Sequence, residues 1–197
     1  MSRLVLPIAA LLTVAATAAE AHTGVGTVNG LAYGFAHPLG GVDHVLVMVA
    51  VGLFAAHLGG RALWLAPLAF VSMMVVGGAF GMAGVGLPFV EIGIGLSVVI
   101  LGLAVASGLH LPTAGAMALV GFFAMFHGHA HGAEMPETAS GLAYAAGFVL
   151  ATASLHVLGI GLGLAIGRMG EAFGQRALQV TGSAIALAGI AVLAGHL

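Results

Sequence analysis

Residues 37–56, HPLGGVDHVLVMVAVGLFAA, decide the fold class and raise the functional question. The second half of this stretch is an apolar run typical of a segment that enters a lipid bilayer. The first half carries His37, Asp43 and His44 directly before that run. Ionisable groups in a membrane segment are unfavourable and usually mark an ion path or a bound ion, although a buried polar cluster can also be purely structural.

The composition predicts an all-α integral membrane protein. Of the 197 residues, 61% are hydrophobic and only 5% are charged, which is too few to cover a soluble globular surface. The 33 glycines favour close helix packing, and the lack of cysteine excludes disulfides and thiolate metal sites. The ten histidines are as many as the four arginines and six carboxylates together, and histidine is the commonest metal ligand. With a net charge of −2 and no basic patch, we expect no nucleic-acid partner.

Residues 1–21 resemble a cleavable secretory signal, with Arg3, an apolar stretch and an A-E-A sequence before His22. The alternative is an uncleaved first helix. The remaining residues 22–197 form one predicted domain, beginning at His22, whose amine and imidazole are candidate metal ligands. This domain contains six apolar segments that predict a bundle of six transmembrane helices: 38–58, 62–83, 90–108, 112–130, 138–165 and 176–195.

The arginines predict the orientation of these spans, because basic residues favour cytoplasmic loops. Arg61 follows the first span, and Arg168 and Arg176 lie between the fifth and the sixth. We therefore expect a multi-pass protein of the bacterial inner membrane, with the mature N-terminus and C-terminus both in the periplasm. The histidine-rich loop HGHAHGAEMPE then faces the periplasm as well.

In this topology, candidate metal ligands collect at the outward ends of spans 1, 3 and 4. On a single helix, residues seven apart differ by about 20° around the axis, so His37 and His44 form a stripe that Met48 continues. Pro38 suits a first helical turn. The glycines of HPLGG also allow that turn to unwind and His37 to fold back toward Asp43. Met48 is a further candidate ligand on this stripe. The predicted outer group comprises His37, Asp43, His44, Glu91, His127, His129, His131, Glu134 and Glu137.

The stretch FHGHAHGAE, residues 126–134, allows two geometries. As a helix it places His127 and His131 on one face with His129 pointing away, whereas in an extended chain all three point the same way. We place His129 and His131 in a loop that concentrates ions near the entrance. Deeper in the membrane, His156 forms either an interhelical hydrogen bond or a step in an ion path. His57 and His110 are interpreted as interfacial residues without a functional role.

Three of these stretches, HPLGGVDHVLVMVAVGLFA, LPFVEIGIGLSV and FHGHAHGAE, resemble the HupE/UreJ family in the same order along the chain. The resemblance covers essentially the whole mature chain. It implies a nickel, sometimes cobalt, permease or accessory protein functionally linked to hydrogenase or urease maturation. Carried over by position, it points to the ligands His37, Asp43, His44, Glu91, His127, His131 and Glu134, while His129 fills a variable place.

We therefore predict a secondary permease that takes Ni²⁺ or Co²⁺ from the periplasm, with the metal as cargo, no prosthetic group and no enzyme activity. Imidazole and carboxylate ligands suit these ions. One alternative is a non-transporting metal chaperone or sensor, although the predicted cytoplasmic loops leave little docking surface. The other is an intramembrane metal-dependent hydrolase, but the sequence contains neither HExxH nor GxSxG.

Overall fold

The computed structural model describes residues 30–135 and 140–195, and within these ranges the chain forms helices and no strand. The predicted all-α fold is thus confirmed. The predicted signal, residues 1–21, and the candidate site residues His22 and Glu137 lie outside the described residues. The helices are α1 Gly30–Gly40, α2 Val42–Leu58, α3 Ala62–Met82, α4 Val90–Ala106, α5 Thr113–Ala133, α6 Gly141–Gly167 and α7 Glu171–Leu193.

The helices have the lengths and compositions of a membrane bundle. Three of them, α3, α6 and α7, are long and apolar enough to cross a bilayer, and the bent pair α1–α2 meets the same test as one unit. Helix α4 is apolar but has only 17 residues, and α5 has 21 residues with a histidine-rich end. The chain is therefore a helical membrane protein, whereas the count of six spans stays a prediction.

The first predicted span is wrong at its start, because the structure divides it at Gly41. Helices α1 and α2 meet there at a bend of 82°. Pro38 lies in the last turn of α1 rather than in the first turn of a span, so His37 and His44 do not share one helical stripe. The backbone of Gly41 is extended, and a Cβ at this residue would lie 2.7 Å from Asp43 Oδ1. Glycine is favoured here because a side chain would displace Asp43.

Glycines hold α3 and α5 together in parallel. A Cβ on Gly77 would overlap the backbone of Met125, and one on Gly81 would overlap the backbone of His129. A Cβ on Gly128 would in turn overlap α3 at Met74. The four-residue steps match on the two helices, as expected for small residues that let backbones approach closely. This contact fixes the histidine-rich end of α5 relative to the rest of the bundle.

Helix α2 forms the centre of the bundle. Its residues from Val47 to Ala55 are fully buried except at Val49, and they pack against α3, α4, α5 and α6. Met48 is 0% exposed within this core and does not line the cavity described below. The first turn of α2, by contrast, opens into that cavity and carries the polar residues.

Candidate metal centre

A cavity of about 490 Å³ lies at the end of the bundle where α2 and α4 begin and α5 ends. Its walls come from four helices, α1, α2, α4 and α5. Glu134, at its mouth, has a side chain that is 58% exposed, whereas His127 behind it is 0% exposed. The cavity thus leads from water toward the buried core. Its histidine and carboxylate lining residues are His37, Asp43, His44, Glu91, His131 and Glu134.

Asp43 fixes the tautomer of His44. Asp43 Oδ1 accepts one hydrogen bond from the backbone N–H of His44 at 2.8 Å and a second from its Nδ1 at 2.9 Å. Because Nδ1 carries the proton, Nε2 carries the lone pair. This Nε2 is buried and has no hydrogen-bond partner among the described residues. A carboxylate that orients an imidazole in this way is the usual support of a metal-binding histidine.

Ser97 fixes the tautomer of His127 in a similar way. The hydroxyl of Ser97 donates its proton to the carbonyl of Ile94 at 2.5 Å, so its oxygen accepts from Nε2 of His127 at 2.7 Å. With the proton on Nε2, the lone pair of His127 lies on Nδ1, which is buried without a partner in the described chain. Two histidines thus present free ligand atoms inside the bundle.

At the mouth, His37, His131 and Glu134 form a second group. One ligand atom from each lies within 4.8 Å of the other two. Nε2 of His37 donates to Oε2 of Glu134 at 3.1 Å, and Nδ1 of His131 lies 3.9 Å from the same oxygen. Metal bonds to nitrogen and oxygen are about 2.0–2.2 Å long, so small side-chain rotations would close this group around one cation.

The two groups are joined into one line of imidazole rings. The ring centroid of His131 lies 4.8 Å from that of His37 and 4.1 Å from that of His44. The ring of His44 in turn lies 4.5 Å from that of His127. A cation bound at the mouth therefore has further ligands within a few ångströms at every step inward.

Helix ends and carboxylates set the charge of the cavity. The N-termini of α2 and α4 carry partial positive charge, which opposes a cation, while the C-terminus of α5 carries partial negative charge. Asp43 and Glu91 lie in the first turns of α2 and α4, and Glu134 caps α5. The three carboxylates reverse the field of the two N-termini and make the cavity suitable for a divalent cation.

The predicted loop at His129 and His131 is wrong, since α5 continues through both residues to Ala133. The helical alternative for FHGHAHGAE is the one observed. His127 and His131 share the cavity side, and His129 points away from the cavity and donates from Nε2 to the carbonyl of Val85 at 2.7 Å. Residues two apart on a helix lie about 200° apart around its axis, which explains the separation.

Three further histidines lie outside the cavity. His156 of α6 is 2% exposed and has no hydrogen-bond partner among the described residues, so the interhelical hydrogen bond considered for it is not formed there. At the opposite end of the bundle, the rings of His57 and His110 are 4.6 Å apart, and Nδ1 of His110 donates to the carbonyl of Gly108.

The sequence interpretation missed Ser97 and the two tyrosines of the site. The ring of Tyr33 stacks on His37 at 5.6 Å, and the hydroxyl of Tyr144 donates to the carbonyl of His131 at 3.4 Å. Ser97 is the one hydroxyl inside the otherwise apolar stretch of α4. A single hydroxyl in an apolar helix could have marked Ser97 as a hydrogen-bond partner, whereas nothing in the sequence pairs the tyrosines with histidines.

Comparison with known proteins agrees with this arrangement of motifs. The family model described as HupE / UreJ protein matches residues 9–192. The chain belongs to the HupE/UreJ family. Protein HupE of Rhizobium leguminosarum bv. viciae is 49% identical over 177 residues, which cover 90% of this chain and 91% of that relative. No solved structure matches the chain.

Membership of the HupE/UreJ family confirms the resemblance found in the sequence. The family consists of accessory and transport proteins rather than enzymes, so the prediction of a non-enzymatic protein is confirmed and the hydrolase alternative is wrong. The chain is a membrane protein related to the nickel-handling accessory proteins of hydrogenase and urease.

Proposed function

We propose that this HupE/UreJ protein is a secondary permease for divalent nickel, with cobalt as a second substrate, in the bacterial inner membrane. The proposal places the cavity on the periplasmic side, as the distribution of the arginines predicts. The metal is the cargo and passes through a site built from His37, Asp43, His44, Glu91, His127, His131 and Glu134.

The observation that carries the proposal is the convergence of three carboxylates and four imidazoles from separate helices on one cavity and its inner wall. A divalent cation entering a medium of low dielectric needs negative charge and several donor atoms, and this cavity supplies both. Sequence-distant groups at Asp43, Glu91 and Glu134 meet there although few charged residues exist in the chain.

Transport, rather than permanent storage of a metal, is supported by how the donor atoms are arranged. They form a line from an open mouth at Glu134 to the buried ring of His127, instead of one closed four-ligand cage. Conduction requires binding that is favourable enough to admit the ion and weak enough to release it. A series of partial sites with exchangeable water meets that requirement.

Transport is not driven by nucleotide hydrolysis in this chain, because the sequence contains no P-loop motif. The membrane potential, an ion gradient or intracellular trapping of the metal would each draw cations inward.

The test is accumulation of radioactive nickel in cells that express the wild type or Asp43→Asn at matched levels. The substitution keeps the shape of Asp43 but removes the charge that orients His44, so uptake should fall to background at every nickel concentration. Glu171→Gln is the matched control, since Glu171 is an exposed carboxylate at the start of α7 outside the cavity.

A second measurement separates the permease from the chaperone or sensor. A permease raises the metal content of cells, whereas a chaperone or sensor binds nickel when purified but leaves accumulation unchanged. Wild-type uptake by Asp43→Asn would show that the cavity is not the permeation site.

A further inference from the structure

His156 carries unsatisfied polar atoms deep in the bundle. It is 2% exposed, and neither of its ring nitrogens has a hydrogen-bond partner among the described residues. A neutral imidazole always offers one donor and one acceptor, and burying both without partners is unfavourable. The residue is thus suited to a ligand that reaches it from elsewhere in the protein.

His156 is the next imidazole inward from the cavity. The ring of Phe70 contacts both imidazoles, with its centroid 5.9 Å from that of His127 and 5.1 Å from that of His156. On α2, a Cβ at Gly52 would overlap the backbone of His156. Since Gly52 follows His44 by eight residues, this contact between α2 and α6 lies about 12 Å along α2 from His44, deeper in the bundle than the cavity.

Polar and polarisable atoms accompany His156 at the contact between α3 and α6. Thr152, one turn before His156, is fully buried and its hydroxyl lies 3.6 Å from the sulfur of Met74, to which it donates. Met74 lies one turn after Phe70 on α3. Imidazole, hydroxyl and thioether groups are therefore grouped in a region whose other buried side chains are mostly apolar.

We propose that His156 is an inner contact site for the divalent cation, second to the cavity. The inference rests on the proposed permease function and deepens it: the ion leaves His127, passes the ring of Phe70 and is held by a ring nitrogen of His156 together with water. A site with few protein ligands binds weakly, which suits an intermediate step of permeation.

A purely structural role makes a different prediction. The rings of Phe70 and His156 meet edge to face, with an interplanar angle of 87°. Such a contact stabilises packing without any need for a nitrogen ligand. His156→Phe keeps an aromatic ring at this contact and removes both nitrogens.

The first experiment is a nickel concentration series for uptake by His156→Phe, paired with nickel binding to the purified protein. We expect maximal uptake to fall at least tenfold without recovery at high nickel, while binding at the cavity keeps its wild-type affinity. Uptake within twofold of the wild type would overturn the proposal.

The second experiment does not depend on transport. The chain has no native cysteine, so His156→Cys introduces a single thiol. We expect this thiol to react with a small cationic methanethiosulfonate reagent and Cd²⁺ to slow the reaction. Val157→Cys is the control, since Val157 is 68% exposed on the outer, lipid-facing surface of the bundle and should not react.

If His156→Cys is as unreactive as Val157→Cys, no aqueous path reaches position 156 and the inner site is refuted even if His156→Phe loses uptake. Both experiments use a protein with an intact cavity. Failure of the inner site is therefore distinguishable from failure of the permease function, which Asp43→Asn tests.

Discussion

Each end of α2 contributes one histidine to a pair of edge-on rings, and the two pairs have nearly the same ring separation but different surroundings. At the N-terminal end, the rings of His44 and His127 meet at 4.5 Å, and at the C-terminal end those of His57 and His110 meet at 4.6 Å. Within the described residues, the ion pairs of histidine with carboxylate all lie at the N-terminal end, and His110 is exposed.

We infer from this difference that adjacent imidazoles alone do not form a cation site in a membrane. Of the four carboxylates in the described part of the chain, three line the cavity, namely Asp43, Glu91 and Glu134. These charges offset the loss of hydration of a divalent cation, and Asp43 and Ser97 fix the tautomers of their histidines. The pair at the opposite end lacks this support, so we expect it to be dispensable for uptake.

Among the variants that test this comparison, the largest difference is expected between His131 and His129, two α5 histidines that the structure separates. His131→Ala removes the ring that joins the mouth to His44, so uptake should fall at least tenfold at any nickel concentration. His129→Ala removes only a hydrogen bond to Val85 and should stay within twofold of the wild type. The measurement is a nickel concentration series at matched expression. Equal losses in the two variants would contradict the assignment of His129 outside the site.

A second pair of variants tests the break between α1 and α2. A Cβ at Gly41 would lie 2.7 Å from Asp43 Oδ1 and 3.1 Å from His44 Nδ1, whereas a Cβ at Gly40 would meet nothing within 4 Å. Gly41→Ala should weaken nickel binding about tenfold, corresponding to about 1.4 kcal/mol. Gly40→Ala is the control. Nickel titration of the purified proteins measures both, and unchanged affinity in Gly41→Ala would show that the pair tolerates displacement.

A smaller effect is expected from Ser97, which acts through His127. Ser97→Ala leaves Nε2 of His127 without an acceptor, and an unsatisfied buried donor costs about 1–3 kcal/mol. We expect uptake to fall about three- to tenfold. Ser107→Ala, at the residue that caps the C-terminus of the same helix, removes a hydroxyl bonded only to backbone carbonyls and should have no effect. A Ser97→Ala variant with wild-type uptake would mean that the tautomer of His127 is immaterial.

The smallest effect is expected at the opposite end. The double substitution of His57 and His110 by alanine should leave nickel uptake within twofold of the wild type, because no carboxylate supports this pair in the described structure. The same uptake assay provides the measurement. A tenfold loss would show that a histidine pair without a carboxylate also serves nickel uptake.

Much of the site could be predicted from the sequence because few charged residues exist in the chain. Helices that alternate in direction bring the start of one segment to the end of the next, which places Asp43, Glu91 and Glu134 at one level without knowledge of packing. Helical periodicity also predicted that His127 and His131 share one face if FHGHAHGAE forms a helix. The sequence could not show whether this stretch is a helix or a loop, because the glycines at 128 and 132 permit both.

The composition was sufficient to show a helical membrane protein, since so apolar a chain must pair its backbone within helices in lipid. The order of the apolar segments was sufficient to predict that Asp43, Glu91 and Glu134 lie near one end. Which of these groups meet depends on the tertiary structure. Periodicity gives the face of a helix on which a residue lies but not the neighbour that this face meets. Only packing through glycines such as Gly128, and the bend at Gly41, brings His131 between His37 and His44 and leaves His129 outside.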